Sequence, residues 1–142
     1  MPIAAKYFVD TNILIYAHDR EAGLKHERAR ELIEHLWTTR QGALSTQVLQ
    51  ELCVNLRRRV AHPLPSDEIA KVIEDYLSWE IVVITPQAIV ETLEIEERYK
   101  ISYWDALILH AAESCGAVVL YSEDLSHGQR YGAVEVVNPL RG

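Results

Sequence analysis

The sequence predicts an α/β protein whose short strands form a mainly parallel sheet of four to five strands. Short apolar runs alternate with longer amphipathic segments, and this order of strands and helices gives a parallel sheet with right-handed crossovers. The chain has 142 residues, of which 49% are hydrophobic and 25% are charged. Because no Pro-, Gly- or Ser-rich stretch divides it, we expect one domain over residues 1–142.

The first half predicts two strands and three helices. A short apolar run predicts a first strand, and apolar residues three and four positions apart predict two helices after it. Gln41-Gly42 ends the second helix, and the prolines at positions 63 and 65 stop the third. The predicted bounds are a strand over 6–9, helices over 11–19 and about 25–37, a strand over 43–45 and a helix from 46 to about 60.

The second half begins with a helix that Ser66 is expected to cap. Its predicted apolar face holds Ile69, Val72, Ile73, Tyr76 and Leu77. A fully buried strand is predicted over 81–84, where four β-branched residues follow one another. Thr85 as an N-cap and Pro86 in the first turn then predict a helix to Tyr99, with an apolar stripe at Ile89, Leu93 and Ile95.

The last predicted helix runs from Ser102 to Gly116, a residue type that commonly ends helices. Val118 to Tyr121 predicts another buried strand. Val134 to Val137 predicts the last strand, placed at the edge of the sheet. The chain has no internal repeat.

The net charge of −7 argues at first against a polyanionic substrate, because nucleic-acid-binding proteins usually present a basic face. One bound divalent cation changes −7 to −5 and two change it to −3, and the occupied site then attracts phosphate. Arg57, Arg58 and Arg59, followed by His62, form the only basic cluster. It is interpreted as a solvated helix end that the helix dipole stabilises.

Several classes of protein are excluded by pattern. The N-terminal apolar stretch is too short for a signal peptide, and no segment approaches the roughly 18 apolar residues of a membrane helix, so a soluble, cytoplasmic protein is expected. Cys53 and Cys115 lack the spacing of a metal or redox pair and fit reduced thiols in the core. The six histidines form no HExxH motif, and no nucleophile elbow or phosphate-binding glycine loop is present.

Four carboxylates occupy positions where catalytic sites gather. Asp10 closes the first strand, Glu51 lies within a helix, Asp105 opens another helix and Asp124 follows a strand. In an open α/β sheet, the crevice outside the carboxyl ends of the strands is the usual ligand site. Acids that converge there repel one another, and a hard cation such as Mg²⁺ or Mn²⁺ relieves that repulsion.

Each of these acids also has a purely structural interpretation. Asp10 is well placed to be an N-cap, and Ser102 with Asp105 has the spacing of a capping box. Asp124 or its neighbour Glu123 fits a solvated turn. Glu51 is the weakest of the four by pattern, since glutamates are ordinary on helix surfaces.

The ordered set of short motifs resembles the PIN-domain nucleases and, more closely, the VapC-type ribonuclease toxins of toxin–antitoxin modules. The likeness covers nearly the whole chain, and Glu123-Asp124-Leu125 with Gly128-Gln129 is a specific local match. The motifs are Asp10-Thr11-Asn12, Gln50-Glu51, Tyr103-Trp104-Asp105-Ala106 and Ser122-Glu123-Asp124-Leu125.

The resemblance implies a three-layer α/β/α sandwich and an acidic quartet of Asp10, Glu51, Asp105 and Asp124. The resemblance strengthens the assignment of Glu51 to the site, and it favours Asp124 over Glu123 as the fourth acid. Asn12, Ser45 and Ser122 match supporting polar positions. It further implies an RNA substrate, Mg²⁺ or Mn²⁺ as cofactor, a small antitoxin of the VapB kind as partner, and a homodimer.

The hypothesis is metal-dependent hydrolysis of RNA phosphodiesters, with Asp10 and Asp105 as direct ligands. Glu51 would hold a ligand or a metal-bound water, and Asp124 would complete the second position or orient its water. One alternative is a Mg²⁺-dependent phosphatase with Asp10 as nucleophile, although Asn12 counts against it. Another is a binding domain whose site is vestigial.

Overall fold

The structure, a computed structural model, describes residues 4–58 and 62–141, which form six strands and six α-helices. The strands are β1 Lys6–Val9, β2 Gly42–Ser45, β3 Glu80–Val82, β4 Ala117–Tyr121, β5 Arg130–Tyr131 and β6 Val134–Val137. The helices are α1 Thr11–His18, α2 Leu24–Thr39, α3 Thr46–Arg58, α4 Ser66–Tyr76, α5 Pro86–Tyr99 and α6 Tyr103–Ser114. The predicted end of α3 near Val60, and Arg59 of the basic cluster, lie outside the described residues.

The strands form one sheet in the order β3-β2-β1-β4-β6-β5, and every neighbouring pair is parallel except β5 with β6. The predicted α/β class with a mainly parallel sheet is confirmed. The strand count was one too low, because β5 has only two residues and shows no periodicity. Gly132, at a φ of +61°, turns the chain from β5 into β6. β6 is therefore an inner strand and not the predicted edge.

The order of strands reverses direction between β1 and β4. From β1 the chain moves through β2 to β3 at one edge, and it returns through α5 and α6 to β4 on the other side of β1. Because parallel crossovers are right-handed, the helices before and after this return cover opposite faces of the sheet. The crevice at the carboxyl ends of β1 and β4 is the place where such folds bind ligands.

The edge of the sheet that β3 forms is less buried than predicted. β3 was expected to be a fully buried strand over 81–84, but it is an edge strand that pairs with β2. Ile81 and Val82 are half-buried, and Val83 is 66% exposed. A run of β-branched residues predicts a strand but does not say how many of its faces are covered. Val118 in β4 is likewise exposed, against prediction.

The predicted stripe of α5 was wrong at Ile89 and Leu93 and right at Ile95. Ile89 and Leu93 are 48% and 52% exposed, whereas Ala88, Thr92 and Ile95 face the core. α5 packs against α6. Small side chains let two helices approach closely, and Thr92 satisfies its hydroxyl by donating to the carbonyl of Ala88 at 2.7 Å.

Aromatic side chains pack where α2 meets the end of α4, and we call Trp37, Tyr76 and Trp79 the aromatic cluster. Their ring centroids lie 5.2 to 5.3 Å apart. Tyr76 and Trp79 are in the core, while Trp37 is at the surface of the cluster.

Leu77, predicted on the apolar face of α4, follows the helix and is exposed. Pro65, not Ser66, is the N-cap of α4.

None of the helices in the described ranges combines the length and the hydropathy that crossing a membrane requires.

Candidate active site

The four predicted acids line one cleft at the carboxyl ends of β1 and β4, and we call it the acid cleft. Its volume is about 260 Å³. Its other walls come from α1, α3 and α6. The lining residues are Asp10, Thr11, Asn12, Gln47, Glu51, Val54, Asn55, Trp104, Asp105, Ile108 and Asp124.

Asp10 is the most buried of the four acids, with 6% of its surface exposed. It is the N-cap of α1, as its position after a strand predicted, and its Oδ1 accepts a hydrogen bond from the backbone of Thr11 at 2.7 Å. The hydroxyl of Ser122 donates to Oδ2 at 2.9 Å. Both oxygens are thus oriented by neighbours, and the capping role does not exclude a role in the cleft.

Burial raises the pKa of Asp10 from its ordinary 3.8 to about 7. The hydrogen bonds from Ser122 and Thr11 oppose this rise, and the negative charges of Asp124 and Asp105 add to it. A buried carboxylate without a compensating cation is costly to ionise. The free protein therefore holds Asp10 in an environment that favours a positive charge nearby.

Asp124 follows β4 in a turn that Ser122 organises. The hydroxyl of Ser122 accepts a hydrogen bond from the backbone of Asp124 at 3.1 Å while it donates to Asp10. Asn12 donates from its amide to Oδ2 of Asp124 at 2.9 Å. Burial raises the pKa of Asp124, and the charges of Asp105, Glu123 and Glu51 raise it further.

Glu123 is directed away from the cleft. Its carboxylate accepts hydrogen bonds from Lys25 at 2.6 Å and from the hydroxyl of Tyr16 at 2.9 Å. Burial alone would raise the pKa of Glu123, but these two hydrogen bonds outweigh it and lower the pKa. Glu123 is absent from the lining of the cleft, and Asp124 is part of it.

Glu51 and Asp105 reach the cleft from two helices. The hydroxyl of Thr11 donates to Oε1 of Glu51 at 2.6 Å, which ties α3 to the start of α1. Ser102 caps α6, because its hydroxyl accepts a hydrogen bond from the backbone N–H of Asp105 at 3.1 Å. This contact is one half of the capping box that the spacing of Ser102 and Asp105 predicted. Asp105 is half-buried at the first turn of α6, where the helix dipole favours a negative charge.

Ser45, predicted as a supporting residue, is fully buried and lies outside the lining of the cleft. Its hydroxyl accepts from the backbone of Val48 at 3.3 Å and so stabilises the start of α3. By this contact it positions the helix that carries Glu51.

Two cleft residues that the sequence analysis did not identify are Gln47 and Asn55. They lie one helical turn before and after Glu51, so a search at four-residue spacing on α3 would have found them. Gln47 donates to the carbonyl of Trp104 at 3.5 Å, and Asn55 donates to the carbonyl of Glu51 at 2.7 Å. Within the described residues, the side-chain oxygens of both are buried without a hydrogen-bond partner. Such acceptors are uncommon in folded proteins and are often completed by a water or a ligand.

The cleft supplies only oxygen donors from its acids and amides, the ligand type that hard divalent cations prefer. Within the described residues, no three acidic, histidine or cysteine side chains already form a cation-binding group. The acids are close enough for their charges to affect one another, as the pKa values of Asp10 and Asp124 indicate.

The family model of the PIN domain matches residues 7–131, which is most of the chain. This protein belongs to the PIN-domain family. The match runs from β1 to β5 and includes all four acids. No curated protein matches the chain in sequence.

Three solved structures illustrate the likeness of this PIN domain to known folds. The VapC20 toxin of Mycobacterium tuberculosis, described as cleaving the sarcin–ricin loop, is 20% identical with a TM-score of 0.64, over 84% of this chain and 90% of that one. A toxin–antitoxin complex from Klebsiella pneumoniae is 22% identical with a TM-score of 0.68, over 96% and 98%. DNA-bound VapBC from Salmonella typhimurium is 21% identical with a TM-score of 0.61, over 94% and 97%. At these identities the likeness concerns the fold.

Proposed function

We propose that this PIN-domain protein is a metal-dependent endoribonuclease, the toxin of a toxin–antitoxin pair, that hydrolyses RNA phosphodiester bonds. The observation that carries the proposal is the acid cleft, in which acids from four separate segments meet at the point where the strand order reverses. The raised pKa values of Asp10 and Asp124 support it, because a divalent cation between the acids would offset their burial and repulsion.

The cofactor in this proposal is Mg²⁺ or Mn²⁺. Asp10 and Asp105 would be direct ligands, Glu51 would hold a ligand or a metal-bound water, and Asp124, from the end of the neighbouring strand β4, would complete the second position or orient its water. When bound, such a cation neutralises charge on a phosphate and makes a water more acidic. Asn12 and Ser122 act through the acids, by keeping Asp124 and Asp10 oriented.

The proposed partners are an antitoxin of the VapB kind and a second copy of this chain. Support for the antitoxin comes from the solved structures with this fold, which include toxin–antitoxin complexes. Support for a homodimer comes from apolar side chains exposed on α5, namely Ile89, Val90 and Leu93. Clusters of exposed apolar residues of this kind commonly mark protein interfaces.

The phosphatase alternative has less support. Such a phosphatase would need a second acid two positions after Asp10, but that position holds Asn12, whose amide donates to Asp124. Incubation with a phosphate-ester substrate followed by mass spectrometry tests it, since a phosphoryl group on Asp10 would favour the phosphatase over the nuclease.

The direct test is incubation of the purified protein with total RNA, with and without Mn²⁺, followed by sequencing of the cut ends. We expect discrete cuts that appear only with the metal and disappear in Asp105→Asn, which removes one charge with little change in volume. Cleavage that persists in a folded Asp105→Asn variant at the wild-type rate would contradict the proposal. Metal binding without any cleavage would favour the vestigial alternative.

A further inference from the structure

Trp104 is the most exposed tryptophan of the chain that the structure describes, with 63% of its surface open to solvent, and it lies on the rim of the acid cleft. It directly precedes Asp105 at the start of α6. An exposed indole does not contribute the stabilisation that a tryptophan gives when its large apolar surface is buried. Its place beside the acids calls for a ligand with a flat apolar surface.

The indole is held in place although it is exposed. The ring of Tyr103 packs edge-on against it, with centroids 5.3 Å apart and planes at 85°. Gln47 donates to the carbonyl of Trp104, which ties this turn of α6 to α3. The exposed indole is therefore packed on one side by Tyr103 and carried by a backbone that Gln47 holds.

Val54 extends this apolar rim. It lies on α3, three residues after Glu51, is 49% exposed and lines the same cleft. The cleft thus combines an acidic floor with an apolar rim. A nucleotide has the matching division, since its phosphate carries the charge and its base offers a flat apolar face.

The charge of the cleft favours the same ligand. Among the described residues that line it there is no lysine or arginine, and the protein carries a net charge of −7. Ion pairs with the RNA backbone cannot supply affinity inside the cleft itself. Stacking on an aromatic ring supplies affinity that does not depend on positive charge.

We infer that Trp104 is a base-stacking platform that binds an unpaired nucleobase of the RNA next to the scissile phosphate. This inference rests on the proposed ribonuclease function and names its substrate class as single-stranded RNA. Paired bases in a duplex hide their faces, so the platform excludes double-stranded RNA. Trp104 is thereby a specificity residue, and it takes no part in the chemical step.

The kinetic test compares Trp104→Ala and Trp104→Phe with the wild type on a single-stranded RNA hexamer of mixed sequence with Mn²⁺. Loss of one stacked base typically lowers affinity about ten- to a hundredfold. We expect KM to rise by that factor in Trp104→Ala, with kcat nearly unchanged, and Trp104→Phe to recover most of the loss. Mn²⁺ affinity should be equal in all three proteins, because a change there would mean that the substitution acts by displacing Asp105 and would overturn the inference.

A binding test uses the fluorescence of the indole and does not require cleavage. With Ca²⁺ in place of Mn²⁺, and the intact length of the hexamer checked by gel, the single-stranded hexamer should quench emission in the wild type. Trp37→Phe is the matched control, since Trp37 lies in the aromatic cluster, away from the cleft. Quenching should persist in Trp37→Phe and disappear in Trp104→Phe.

Two further probes set the limits of the inference. A hexamer of abasic ribose-phosphate, which has the charge without the bases, and the same RNA in duplex form should both fail to quench. Quenching by the abasic chain, or quenching that persists in Trp104→Phe, would contradict the inference that a base stacks on Trp104. If the wild type shows Trp104-dependent quenching but cuts no RNA, the proposed function fails while the base-binding site stands.

Discussion

The acid cleft contains one tryptophan and the aromatic cluster contains two, and the tryptophan of the cleft is far more exposed than those of the cluster. Trp79 is 8% exposed and packs against Trp37 and Tyr76, whereas Trp104 is 63% exposed beside a row of acids. The cluster gains stability by burial of apolar surface. The cleft keeps a buried acid with a raised pKa, an open indole and two buried side-chain oxygens that have no partner among the described residues, whereas the cluster leaves one such buried atom, Nε1 of Trp79. Substitutions in the two regions should therefore have separable effects.

The largest effect is expected from Asp10→Asn in the acid cleft. Loss of a charged metal ligand removes several kcal/mol of transition-state stabilisation, or about a thousandfold in rate. RNA cleavage rates at saturating Mn²⁺ measure it. Wild-type activity in a folded Asp10→Asn variant would show that Asp10 has no part in the reaction.

The converse substitution is Trp79→Ala in the aromatic cluster. Truncation of a buried tryptophan typically lowers the free energy of unfolding by about 3–5 kcal/mol. Urea unfolding measures this loss, and Mn²⁺ affinity of the folded variant should stay at the wild-type value. A loss of Mn²⁺ affinity equal to that of Asp10→Asn would show that the two regions are not independent.

A third prediction concerns pH and follows from the pKa of Asp10. Because the folded-state pKa of about 7 lies above the ordinary 3.8, the folded protein holds this proton more tightly than the unfolded chain. Without metal, the contribution of Asp10 to the free energy of unfolding falls as pH rises from about 4 to about 7, by at most about 4 kcal/mol.

Urea unfolding at several pH values, with EDTA present, checks this pH dependence. Asp10→Asn should flatten the fall and make the metal-free protein more stable than the wild type at pH 7.5. Addition of Mg²⁺ should stabilise the wild type most at the high end of the range, where the acid is ionised. Equal pH dependence in wild type and variant would contradict the assignment.

How far the sequence predicted the site differs among the acids. Asp10 and Asp105 were found by position, because a strand end and a helix start have recognisable local patterns. Glu51 was the weakest of the four by pattern and was favoured only by the resemblance, since it reaches the cleft through the packing of α3 against α1. The side chain of Gln47 donates to the backbone carbonyl of Trp104 and so joins α3 to α6, which are far apart in the chain, so no local pattern reports that contact.

The fold was predicted in class and in most of its elements, and two of the errors share a cause. β3 and the stripe of α5 were misjudged because apolar residues show that an element exists but do not show which face its neighbours cover. β5 was missed for a different reason, because a strand of two residues is too short to show an alternation of apolar and polar side chains.

The smallest effect is expected from Glu123→Gln, beside the cleft but directed out of it. Its ion pair with Lys25 is partly exposed, and such pairs typically contribute less than about 1 kcal/mol. We expect near-wild-type cleavage and a small loss of stability, in contrast to Asp124→Asn. A loss of activity as large as that of Asp124→Asn would mean that Glu123 was wrongly left out of the site.

Calorimetric titration of Mn²⁺ into the wild type and into Asp10→Asn, Asp105→Asn and Glu123→Gln tests most directly whether the cleft acids act together on one cation. The account predicts saturable binding in the wild type and in Glu123→Gln, and its loss in both cleft variants. Equal binding in all four proteins, or no binding in any, would contradict it.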